Sequence, residues 1–435
     1  MTATLLHEVK DWLRIPSIST GEGDPADLLR AARWAAERIE GAGGRTQILE
    51  PAGGNPLLVG ELDGPTGTPT VLIYGHYDVQ GPGELDRWTS PPFEPEIRDG
   101  RLFARGAADD KGNFLPLLHV ACELARSGRL PLGVRVLLEG EEEVGGHSVS
   151  DWLRADERGA DAAIVFDSGM ADERTPAITI GLRGIVQLHV TLRTGVRPLH
   201  SGLYGGTARN ALHELIGLLA PLRAGPDGRL RAELREGVRP PDPVEVASWE
   251  RLPAGATMLA EAGAVPLDDR AASEFYLRTG AEPALDVNAI AGGEPRTVIP
   301  ASATATVTMR LAAGQSAERM DATLRELIAG AAPSGVSVEL HGLCAEPVLF
   351  QAGGPVIELA AGALERACGV APVLARSGGS IPVVADMAAR GLPTIVSGFS
   401  LPEDAFHAPD ESYSLRSLEL GEAASHELYA ALATL

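Results

Sequence analysis

Two textures alternate along the chain. Up to residue 167, short and nearly continuous apolar runs at 70–74 (TVLIY), 134–138 (VRVLL) and 162–166 (AAIVF) are separated by segments with helical spacing. Runs of this length read as strands buried on both faces, and their alternation with helices predicts a parallel or mostly parallel sheet. Leu5, Val9, Trp12 and Leu13 mark a first helix that stops at Ile15-Pro16. A second helix is predicted over about 27–42 and a third over about 113–126. Beyond Arg183-Gly184, residues 185–192 (IVQLHVTL), 304–311 (TATVTMRL) and 336–340 alternate apolar with polar, so these strands should have one solvated face. Amphipathic helices over about 208–222 and 317–331 lie between them. After Pro355 the first texture returns: a helix to about 367, a Gly-rich turn at 376–382, another helix, an apolar run at 394–396 and a closing helix. The expected fold is α/β. A doubly wound, mostly parallel sheet formed by 1–181 and 347–435 is interrupted by an inserted α+β domain at 182–346. The stretch 225–269, rich in Pro, Gly and charge, yields no secure elements.

The length supports that division, because 435 residues exceed what one hydrophobic core usually sustains. Lys and Arg number 37 against 59 Asp and Glu, a net charge of -22, which disfavours nucleic acid and anionic membrane surfaces as partners. The three cysteines, Cys122, Cys344 and Cys368, are widely spaced and suit a reducing compartment. Charged residues run through the first 20 positions, and no stretch is apolar for the 18 or so residues of a spanning helix. A cytoplasmic protein is expected.

Chemistry gathers where the apolar runs end. His76, Glu142 or Glu143, Asp167 and His407 all follow predicted strands, and in open α/β sheets ligands collect beyond the carboxyl ends of the strands. Asp109 lies in the small-residue turn 105–112 that opens the third helix, where a carboxylate also gains from the helix N-terminus. Two histidines and three carboxylates exceed the needs of one catalytic zinc, which takes three protein ligands and a water. Two metals sharing a carboxylate would use all five, leaving one glutamate free to act as a general base. Asp78, two residues beyond His76, could accept the other ring N–H of a ligating imidazole.

In combination and in order, Gly75-His76-Tyr77-Asp78-Val79, Gly106-Ala-Ala-Asp109-Asp-Lys-Gly112, Glu142-Glu143-Val144-Gly145, Asp167 and His407-Ala-Pro-Asp410 resemble a known family. It is the family of zinc-dependent aminoacylases, glutamate carboxypeptidases, succinyl-diaminopimelate desuccinylases and cytosolic dipeptidases, and the resemblance covers most of the chain. It implies two zinc ions, one held by His76 and Asp167, the other by Glu143 and His407, with Asp109 bridging; manganese and cobalt also suit such mixed ligands. Glu142 would be the general base and Asp78 would orient His76, although Glu141 leaves the glutamate register ambiguous. The dipeptidase branch fits best, because 199–206 (LHSGLYGG) resembles the segment whose histidine, here His200, reaches the partner subunit's active site and stabilises the oxyanion. Arg310 would grip the substrate carboxylate, and the turn 376–382 would line the substrate pocket through Gly379 and Ser380. The inserted domain would serve as lid and dimerisation module of a homodimer, hinged near 181–184 and 343–347. The expected activity is metal-dependent hydrolysis of the amide bond of dipeptides or short peptides. An N-acyl amino acid amidohydrolase on the same scaffold is the alternative, and a non-catalytic metal- or peptide-binding protein is the alternative of another class. Ser377 stands where eukaryotic dipeptidases of the family usually carry Glu, so identity of substrates with theirs does not follow.

Overall fold

The computed structural model describes residues 1–21, 23–379 and 381–435, without the side chain of Pro382. In chain order its main elements are α1 (Ala3–Leu13), α2 (Pro25–Glu40), β1 (Arg45–Leu49), β2 (Leu57–Leu62), β3 (Thr70–His76), α3 (Lys111–Arg126), β4 (Gly133–Glu139) and β5 (Ala162–Phe166). There follow β6 (Gly184–Arg193), α4 (Ala211–Leu219), β7 (Ala284–Gly292), β8 (Ser302–Leu311), α5 (Ala317–Ala331) and β9 (Ser337–Ala345), and finally α6 (Pro355–Cys368), β10 (Thr394–Ser397) and α7 (Leu415–Leu432).

The chain divides into two compact units, Met1–Ile180 with Phe350–Ala375 and Pro382–Leu435, and Gly181–Leu349 with Arg376–Ile381. In the first, six strands run in the order β1-β2-β4-β3-β5-β10. The neighbours β4, β3, β5 and β10 are parallel, and β2 pairs antiparallel with both β1 and β4. Helices cover the parallel part, so β3 is buried at every position after Thr70 and β5 throughout, as continuous apolar runs require. Trp12 of α1 stacks on Trp34 of α2 with ring centroids 5.0 Å apart, and Phe114 of α3 packs on Trp12 at 6.4 Å. Lys111, at the start of α3, is buried and donates to the carbonyls of Ile15 (2.8 Å) and Trp12 (3.3 Å). Burial lowers its ammonium to about 7.

The second unit is an antiparallel sheet in the order β7-β8-β6-β9. Val186, Leu188, Val190 and Leu192 of β6 and Ala303, Ala305, Val307 and Met309 of β8 share one core with Leu215 of α4 and Met320, Leu324 and Ile328 of α5. The intervening residues, such as Gln187 and Thr191 or Thr304 and Thr308, are less buried. The stretch without sequence-based elements holds two short helices, Pro243–Trp249 and Gly255–Glu261. The segment Arg376–Ile381 groups with this unit, within which the Arg376 guanidinium is bound by both carboxylate oxygens of Glu245, one contact at 2.9 Å, with both side chains almost wholly buried.

Candidate active site

Strand ends build the site. His76 is the last residue of β3, and its ring is fully buried. Its Nδ1 lies 3.0 Å from the backbone carbonyl of Asp78 and 3.4 Å from the Asp78 carboxylate, so the carbonyl is the nearer partner. The Asp78 carboxylate accepts the Ser19 hydroxyl at 2.6 Å and the N–H groups of Glu143 at 3.1 Å and Glu142 at 3.3 Å. One aspartate thus fixes both the imidazole and the glutamate turn that leaves β4.

With Nδ1 engaged, His76 Nε2 points to Asp109 Oδ1 at 3.0 Å. The other oxygen of Asp109 meets His407 Nε2 at 2.9 Å, and that same nitrogen is 3.2 Å from Glu143 Oε2. Among the described residues, two groups of three have ligand atoms all within 4.8 Å of one another: His76, Asp109 and Asp167, and Asp109, Glu143 and His407. Asp109 belongs to both. The five residues singled out in the sequence are therefore brought together around one shared carboxylate.

The three consecutive glutamates separate by environment. Glu141 accepts the N–H groups of Ser148 (2.6 Å) and Asn55 (2.9 Å), which turns it away to hold the start of a helix. Glu143 faces His407 and takes a hydrogen bond from Gln80 Nε2 at 2.9 Å. Burial raises the Glu142 carboxyl above its ordinary range, opposed by nearby His76 and reinforced by the negative charges of Asp109 and Glu143.

The remaining electrostatics describe a crowded anionic centre. Burial pushes Asp167 well above the usual carboxylate range, His76 works against this, and Asp109, Glu142 and Glu143 add to it. Burial acts to raise Asp109 as well, but hydrogen bonds from His407 and His76 hold it well below. His407 is raised to about 10 by its hydrogen bonds to Asp109 and Glu143. His76 rises well above its ordinary value, the bonds to Asp109 and Asp78 outweighing burial. Converging imidazoles and mutually repelling carboxylates, with one carboxylate offering an oxygen to each side, fit a pair of divalent cations.

Substrate-side predictions fall in the second unit. His200 is exposed at the end of the two-residue strand Leu199–His200, where its Nδ1 accepts the Gly202 N–H at 3.1 Å. Arg310 is half-buried on β8, on the same face as Thr304, Thr306 and Thr308, opposite Ala284 and Ile185. The Gly379 N–H donates to Ser377 Oγ at 3.1 Å inside the turn, and Ser380 lies outside the described residues. Sequence reasoning passed over Ser19, Gln80 and Glu411. Only Glu411 carried a local signal, its place directly after His407-Ala-Pro-Asp410.

The model for peptidase family M20/M25/M40 matches residues 72–431. The chain belongs to this family. Among curated relatives, this peptidase is 29% identical over 409 residues to the cysteinylglycine-S-conjugate dipeptidase of Corynebacterium striatum, covering 89% of the chain and 87% of the relative. It is also 29% identical over 234 residues to the beta-Ala-His dipeptidase of Rattus norvegicus, across 50% of the chain and 48% of that protein. The M20 family metallo-carboxypeptidase Sso-CP2 from Sulfolobus solfataricus shares the peptidase's fold with a TM-score of 0.86 at 24% identity, over the full length of both chains. Human carnosine dipeptidase 1 shares it with a TM-score of 0.78 at 22% identity, over 99% of this chain and 96% of that one.

Proposed function

We propose that this peptidase hydrolyses the amide bond of dipeptides or short peptides with two divalent metal ions, zinc in the first instance. The observation that carries the reading is the divided Asp109 carboxylate, with one oxygen 3.0 Å from His76 and the other 2.9 Å from His407. Bound there, two cations would polarise a carbonyl and lower the pKa of a water. His76 and Asp167 would hold one, Glu143 and His407 the other, with Asp109 available to both. Glu142 takes the proton of the attacking water and passes it to the leaving amine; among the described residues the hydrogen bond and ion pair to His407 belong to Glu143 rather than to Glu142, which supports that role. Asp78 keeps His76 in one orientation. His200 of a partner subunit donates to the oxyanion, Arg310 receives the substrate carboxylate as a guanidinium fork does, and Gly379 lines the pocket. Assembly is a homodimer through the inserted unit, which also serves as lid. The dipeptide reading takes further support from the two curated relatives described above, both named as dipeptidases. A cytoplasmic location fits three cysteines that are all free thiols.

A panel of dipeptides, N-acetyl and N-succinyl amino acids tests this, run after chelator treatment and after return of zinc, manganese or cobalt. Hydrolysis of dipeptides that disappears with chelator and returns with metal is expected. Preference for acylated amino acids would transfer the chain to the amidohydrolases, and two bound metals with no amide cleaved would make it a binding protein.

A further inference from the structure

The loops carrying Asp109 and His407 meet on one carboxylate that is neither a metal ligand nor the general base. Glu411 is fully buried, and its two oxygens collect four donors. Oε2 accepts Arg105 Nη1 at 2.6 Å and the Gly106 N–H at 3.0 Å; Oε1 accepts the N–H groups of Ala108 at 2.9 Å and Asp109 at 3.2 Å. Four donors fill the acceptor sites that a carboxylate has. The Glu411 backbone takes part as well, its carbonyl accepting the Ala104 N–H at 3.1 Å. Arg105, itself buried, passes a second nitrogen to the Gly81 carbonyl at 3.2 Å and so reaches the segment that follows His76 and Asp78.

Glu411 is also only four residues from His407, in a stretch where Ala405, His407 and Asp410 have φ of +57°, +61° and +58°. Non-glycine residues hold that conformation when their surroundings fix it. Here the fixing groups are visible. Thr89 donates its N–H and hydroxyl to Asp410 at 2.9 and 2.7 Å, and Glu411 binds the 105–109 loop.

We propose that Glu411 is a positioning residue that assembles the metal centre from both sides. It sets the backbone of Asp109 so that the two carboxylate oxygens face His76 and His407, and it ties the His407 loop to that same backbone. Both metal positions therefore depend on one residue that touches neither metal. The inference rests on the dimetal reading above.

Its test is a zinc titration of metal-depleted full-length protein against a chromophoric chelator. Glu411→Gln preserves shape but aims an amide N–H at groups that are themselves donors. Zinc affinity should fall about 10- to 100-fold, the usual effect of losing such a supporting partner, and at both positions together. Turnover of a dipeptide should drop at limiting zinc and recover as zinc is raised, with KM unchanged. His407→Ala, by contrast, should weaken one position only. Wild-type zinc affinity in Glu411→Gln, with only a lower Tm, would make Glu411 a simple buttress of the fold and overturn the proposal. Asp109→Asn separates the two readings. If it keeps two zinc ions at wild-type affinity, the reading of a metal pair shared by Asp109 fails; if it loses them while Glu411→Gln does not, only the present inference fails. Should Glu411→Gln not fold, amide exchange in metal-depleted wild-type protein decides. Slow exchange at Gly106, Ala108 and Asp109 supports a loop built by Glu411, and free-loop rates refute it.

Discussion

At the scale of residues, function turns on how similar side chains are told apart. Asp78 and Glu142 are neighbours in space, linked through the Glu142 N–H, yet their substitutions should read differently. The Asp78 carboxylate holds Ser19 and the backbone of both glutamates and stands beside His76. Asp78→Asn should therefore loosen metal binding, by about 10- to 100-fold in zinc affinity, because the imidazole and the glutamate turn both lose an anchor. Equilibrium dialysis with zinc would show it. Among the described residues Glu142 makes no hydrogen bond or ion pair to a histidine, whereas Glu143 stands 3.2 Å from His407. Glu142→Ala should retain both metals and lose turnover by roughly 10²- to 10⁴-fold, the range general-base catalysis supplies. Metal content measured beside the rate checks this. Loss of metal in Glu142→Ala would exchange the roles of the two glutamates.

At the scale of elements, close packing around the ligand loops sets what the sequence can change. A Cβ on Gly112 would stand 2.0 Å from the Ala107 carbonyl oxygen, a backbone atom that cannot swing aside. Gly112→Ala should cost about 1–3 kcal/mol, as overpacking commonly does, and disturb the turn that presents Asp109. Gly217, inside α4, has nothing within 4 Å of the same added atom. Gly217→Ala should instead stabilise by roughly 0.5–1 kcal/mol. Urea midpoints of the two variants should move in opposite directions. The contrast reflects what was legible in the chain. Strands such as β3 and β5 announce themselves because burial on both faces demands unbroken apolar runs, and the metal ligands announce themselves because they close those runs. β7 gave only a weak signal: it is an edge strand whose residues are mostly exposed, and just Leu285 and Val287 pack on the core. Glu411 stands next to a motif, yet its role was hidden for another reason. Its donors lie about 300 positions away, 306 for Arg105, and a lone glutamate has no spacing from which to read that burial. The same holds for Arg376 and Glu245, 131 positions apart, whose buried pair lies within the second unit.

At the scale of the whole molecule, the proposed homodimer requires one subunit to complete another. His200 is exposed, and among the described residues its ring makes a hydrogen bond only within its own turn, to the Gly202 N–H, which leaves Nε2 able to serve as a donor elsewhere. In the proposed homodimer that donor acts in trans, which makes a complementation test decisive. His200→Ala alone should lower turnover by the equivalent of about 2.7–4 kcal/mol, the common value of one oxyanion donor, without loss of metal. Glu142→Ala alone should be similarly inactive. When the two variants are mixed and allowed to exchange subunits, each mixed dimer contains one site with an intact Glu142 and a His200 supplied by its partner. Statistical mixing puts half of the dimers in that state with one working site of two, so activity should recover to about a quarter of wild type. A histidine acting within its own subunit predicts no recovery, because neither chain then carries both residues. Recovery that is lost when the exchange is run at concentrations too dilute for dimers would tie the effect to assembly.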